Sequence, residues 1–186
     1  MSAQRLPATP GQTIGPFFGF SLPYDGGEDL VDRSHPGAVR LHGTVFDGAG
    51  VPVPDALVEI WQADERGEIS TEPGSLRRDG YTFTGFGRAA TDGAGNYQFT
   101  TVEPGRIEGS GLPFFSVVVF SRGLLDTLHT RIYLPEHSAE FAADPLLRAL
   151  DERRRASLVA TREADGTLLF NLHLQGDEET VFLDFD

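Results

Sequence analysis

Short runs that alternate apolar with polar, or stay apolar throughout, are cut at close intervals by Gly, Pro, Asn and Asp, and this leaves the chain few ways to fold. Residues 39–47 alternate and end in the turn Asp47-Gly48-Ala49-Gly50; residues 57–62 form the next strand candidate. A second turn, Asp92-Gly93-Ala94-Gly95, leads into a run where Tyr97 and Phe99 share a face, as the two-residue period of a strand requires. Residues 114–120 are nearly all apolar, the mark of a strand covered on both faces in the middle of a sheet. In residues 128–134, Leu128, Ile132 and Leu134 point one way and His129, Arg131 and Tyr133 the other, so one face packs and the other is polar and aromatic. Two further strands are expected over residues 167–174 and 180–185.

Only one stretch reads well as a helix. Asp144 can cap it, Pro145 suits its first position, and Leu146, Leu147 and Leu150 form its apolar stripe. Arg153, Arg154 and Arg155 then fall near its C-terminal end, where the helix dipole favours cations. The expected fold is all-β: a two-layer β-sandwich with long loops and a short helix. At 186 residues without an internal repeat or linker, one domain spanning 1–186 is expected, with an N-terminal arm of about residues 1–20.

The charge and residue inventory then narrows the chemistry. With no Cys, disulfides, thiolate metal sites and cysteine nucleophiles are excluded. Against 28 acidic side chains stand 15 basic ones, and the resulting charge of −13 repels phosphate backbones and anionic lipid, so no nucleic-acid or membrane partner is expected. No basic start leads into a long apolar run, which predicts a cytoplasmic protein. The five histidines, His35, His42, His129, His137 and His173, stand at no spacing that makes a local metal site. Neither a serine-nucleophile elbow nor a phosphate-binding or dinucleotide loop is present.

Combined, several segments are far more specific than any one alone: Thr13-Ile14-Gly15-Pro16-Phe17-Phe18; Val58-Glu59-Ile60-Trp61-Gln62-Ala63-Asp64; Gly87-Arg88 with Thr91-Asp92, Gly95, Tyr97 and Phe99; residues 128–133; and the ending Gln175-Gly176 with 179–185. Together they resemble the intradiol ring-cleaving dioxygenases over nearly the whole chain, and in particular the α-type chain of two-chain members. The resemblance implies a complex that cleaves 3,4-dihydroxybenzoate with O2, using Fe(III) held by two Tyr and two His. Here Phe115 and Val117 stand where the two histidines are expected, and no Tyr lies between Tyr97 and Tyr133. Tyr81 could supply one phenolate, which cannot hold the metal alone.

The resemblance therefore assigns this chain no catalytic or metal-ligating residue. Its iron is expected in a homologous iron-bearing β subunit, the two forming a pseudo-symmetric heterodimer that assembles further. Carried over as contributors to the substrate site are Thr13, Gly15 and Pro16 of the arm, and Arg131, whose planar guanidinium suits a ring carboxylate. For Arg131 an ion pair with a protein acid is the competing role. Trp61 and Gln62 are expected to pack or satisfy backbone groups, and the segment 14–20 to be buried against the sandwich or the partner. The rival reading is a transthyretin-like β-sandwich acting as a binding or scaffolding module.

Overall fold

The computed structural model describes residues 15, 17–72, 78–109 and 111–185. Its strands, in chain order, are β1 (Ala38–Phe46), β2 (Leu57–Trp61), β3 (Phe86–Ala90), β4 (Asn96–Val102), β5 (Phe114–Phe120), β6 (Leu128–Tyr133), β7 (Thr161–Arg162), β8 (Leu168–Leu169) and β9 (Leu172–His173). They form two sheets. In the first, β1 pairs antiparallel with β4 on one side and parallel with β8 and β9 on the other, and β7 extends β8. The second is antiparallel, in the order β3-β2-β5-β6, so β5 is an interior strand as its apolar run predicts.

Between the sheets lies the main core. Leu41, Val45, Tyr97 and Phe99 of one sheet are packed with Val58, Ile60, Phe115, Val117, Val119 and Ile132 of the other. Burying each such side chain contributes about 1.5–3 kcal/mol, so the sandwich is held by its inward faces. The outer face of the second sheet is covered in part. Tyr133 packs there with Leu112, Phe141, Leu147, Leu158 and Val181, beneath a 3-10 helix (Pro135–Ala143) and a short helix, α2 (Pro145–Ala149), which is followed by a second, α3 (Glu152–Ala156), that buries no residue. A further short helix, α1 (Phe18–Ser21), lies near the start. Among the described residues no helix is long and apolar enough to cross a membrane.

Three local expectations differ from what is found. The single helix is two: Leu150 is extended at φ −98 and ψ 145, and the Asp151 side chain caps α3 by accepting from the Arg154 N–H. Asp151 offers the backbone a local hydrogen bond that competes with continuing the first helix. Arg155 then turns back, donating to the carbonyls of Leu147 at 2.9 Å and Leu150 at 3.0 Å, so it caps α2 from outside rather than ending a longer helix.

The strand expected over 167–174 is interrupted at Phe170, whose carbonyl accepts the Tyr97 hydroxyl at 2.7 Å. A Cβ on Gly43 would overlap that carbonyl, so the break depends on glycine there. Residues 180–185 form no regular strand. The Thr180 N–H bonds His173 and the Leu183 N–H bonds His129, so the segment crosses between sheets and cannot ladder along either.

Candidate functional site

The outer face of the second sheet carries the charged and aromatic groups. Cross-strand register sets Phe86, Trp61, Ser116 and Arg131 in one row, with Arg88, Glu59, Val118 and His129 in the next. Adjacent strands lie about 4.8 Å apart, so small Ser116 separates the Trp61 and Arg131 backbones by two strand spacings. Trp61 packs on Phe86 with centroids 4.5 Å apart yet stays 50% exposed. Gln62 is buried and bonds the carbonyls of Ala63 and Val102 and the Thr101 hydroxyl, which is the backbone-satisfying role expected of it.

Arg131 sits on the polar face that the strand pattern predicts. Its guanidinium carbon lies 4.0 Å from the Phe114 ring centroid, and Nη1 donates to the Tyr133 hydroxyl at 3.2 Å. That hydroxyl in turn points to Asp144 Oδ1 at 3.4 Å. Among the described residues no carboxylate forms a salt bridge with Arg131, whereas Arg88, Arg106, Arg122 and Arg153 each have one and Arg162 has two.

Of the three arm residues, Thr13 and Pro16 lie outside the described residues. Gly15 adopts φ 81, a left-handed conformation suited to glycine. No hydrogen bond joins it to Arg131 among the described residues. The neighbouring aromatics divide: Phe18 is buried, while Phe17 is 73% and Phe20 87% exposed. Only part of that apolar segment is thus covered by the chain itself.

Sequence reasoning missed the Glu59–Arg88 pair. Glu59 Oε1 accepts from Nη2 at 2.6 Å and from Nε at 2.8 Å, and both side chains are largely buried. Arg88 Nη1 also donates to the Leu22 carbonyl at 2.6 Å, tying the segment after α1 to the sheet. Both residues belong to the motif segments, but only the β2–β3 register sets them opposite each other.

At the places expected for two iron-ligating histidines, Phe115 and Val117 are carbon side chains with zero exposure in the inter-sheet core. Tyr81 is 94% exposed, on a loop where Asp79 accepts its backbone N–H. Among the described residues no group of three or more His, Asp or Glu could hold a metal ion. The family's iron does not fit the residues this chain places there.

Fold and sequence together define the class: the chain belongs to the intradiol ring-cleaving dioxygenase family. The family model described as "Dioxygenase" matches residues 14–112, more than half of the chain. Within that family the chain is 37% identical over 195 residues to the protocatechuate 3,4-dioxygenase alpha chain of Burkholderia cepacia, covering 96% of this chain and 98% of that one. Identity to the protocatechuate 3,4-dioxygenase beta chain of the same organism is 28%, over 88% of this chain and 71% of that one. The solved dioxygenase domain of a carbohydrate-binding fusion from Streptomyces sp. SirexAA-E superposes with a TM-score of 0.62 at 27% identity, covering 90% of this chain and 98% of that domain.

Proposed function

We propose that this chain is the α subunit of a protocatechuate 3,4-dioxygenase, and that residues 1–186 act as one domain with an N-terminal arm. The observation that carries the proposal is the full-length likeness to an alpha chain joined to carbon side chains at Phe115 and Val117. The likeness to a beta chain supports a homologous partner, which in this reading holds the Fe(III). The αβ pairs assemble further in the cytoplasm. The complex adds O2 across the bond between the two hydroxyl-bearing carbons of 3,4-dihydroxybenzoate, giving 3-carboxy-cis,cis-muconate. Ring cleavage belongs to the partner's centre; this chain supplies position and electrostatics. Family membership over the whole chain favours this reading over a transthyretin-like scaffold.

Within it, Arg131 meets the ring carboxylate, while Thr13, Gly15 and Pro16 of the arm complete the substrate site. Arg131→Ala in the αβ complex removes a charge-assisted bond of about 1.5–3 kcal/mol, a roughly tenfold or larger loss in kcat/KM for 3,4-dihydroxybenzoate. Catechol has the same diol and no carboxylate, so its loss is much smaller. Steady-state kinetics on both substrates checks this; equal losses with assembly intact contradict the carboxylate role, and failed assembly points to an intersubunit ion pair.

Deletion of residues 1–16 spares buried Phe18 and removes most of the arm. The expected result is a lower yield of αβ complex and lower turnover, read by complex mass and oxygen uptake. Unchanged assembly and turnover would show the arm to be dispensable.

A further inference from the structure

Among the described residues Arg131 is held in place with no carboxylate paired to it. Five of the chain's other arginines answer a carboxylate, in a protein with 28 acidic side chains, yet the groups that hold Arg131 are a ring face and a phenol. A guanidinium carries five N–H donors in a planar fork. Phe114 fixes the plane of that fork by cation–π attraction, and the Tyr133 hydroxyl engages Nη1 on one side. Neither cancels the charge.

The phenol is itself anchored. Tyr133 is fully buried, and its neighbour Asp144 is nearly so. Asp144 accepts from the backbone N–H groups of Leu146 at 2.9 Å, Leu147 at 3.1 Å and Leu112 at 3.3 Å, which fixes the carboxylate at the start of α2. At 3.4 Å the Tyr133–Asp144 contact is long for two oxygens and so orients more than it stabilises. Burial pushes the Tyr133 hydroxyl above the ordinary phenol range, so it stays protonated at neutral pH, donating toward Asp144 and accepting from Arg131.

We infer that Tyr133 is a positioning residue: anchored by Asp144 and working with Phe114, it presents the free donors of Arg131 in one orientation to the planar ring carboxylate of the substrate. This rests on the reading of Arg131 given above. A free arginine must surrender rotamer freedom when it binds, and one already held loses less, so the device acts on substrate binding more than on turnover.

Tyr133→Phe in the iron-loaded αβ complex tests the inference. KM for 3,4-dihydroxybenzoate is expected to rise about three- to tenfold, with kcat moving much less, and the effect on catechol is expected to be far smaller. In an Arg131→Ala background the same substitution should add almost nothing, because the group it positions is gone. Phe114→Leu keeps an apolar side chain and removes the ring face, so it should give the same KM signature and keeps the test open if Tyr133→Phe folds poorly. An Arg131→Ala variant that treats both substrates alike overturns the underlying reading of Arg131. If Arg131→Ala discriminates but Tyr133→Phe and Phe114→Leu do not, or if Tyr133→Phe adds in full to Arg131→Ala, the positioning role is overturned while that reading stands.

Discussion

Restoring histidine at both Phe115 and Val117 is expected to unfold this chain rather than give it a metal. Both positions have zero exposure and lie in the core between the sheets. Phe115→His exchanges a packed ring for a smaller polar one, and Val117→His forces a larger side chain into a filled site, an overpacking cost of about 1–3 kcal/mol. Each imidazole also carries a buried donor and acceptor, and leaving such groups unpaired costs about 1–3 kcal/mol apiece. The combined loss approaches the roughly 5–15 kcal/mol that holds a domain of this kind together. A metal could offset that only with a full ligand set, and exposed Tyr81 does not provide one. Urea unfolding and iron analysis of the double variant check this, beside the native chain expressed alone, which should hold no stoichiometric iron. A double variant of native stability carrying one ferric ion would overturn the view that these positions have become pure core.

How far the sequence shows this fold depends on what shapes each element. β1, β4 and β6 are visible because their apolar periods follow their burial, and β5 because its apolar run is continuous, although its outward residues are only half-buried. β3 is hidden, since its inward residues are Gly87 and Ala89 rather than large apolar ones. A Cβ on Gly87 would collide with Leu30, so small residues there permit close approach and erase the hydrophobic signal. The break at Phe170 depends on a carbonyl meeting Gly43 and Tyr97 from distant parts of the chain, which no local pattern contains. The site divides in the same way. Arg131 and Tyr133 share a face by strand period alone, but Asp144 reaches Tyr133 only after the 3-10 helix folds the chain back.

Glu59→Ala is expected to cost about 3–5 kcal/mol, the range for breaking one side of a buried ion pair. The two side chains are only 11% and 15% exposed, so water cannot readily replace the lost carboxylate around Arg88. Arg88 would keep its bond to the Leu22 carbonyl and its place 5.7 Å from the Tyr24 ring, but neither balances a charge. Replacing both partners by methionine should cost less, because no unpaired charge remains buried. It should not be neutral, since the Leu22 carbonyl also loses its donor. A difference of this sign between the single and double variants, read by urea unfolding, separates an unpaired charge from simple loss of packing. The same cation links the outer sheet face to the segment after α1. Arg88→Met, which removes the donor to the Leu22 carbonyl, should therefore open the chain near Pro23 and Tyr24 to limited proteolysis before the sandwich unfolds. If that segment stays protected while stability falls, Arg88 braces the sheet alone and the link to the arm is not energetic.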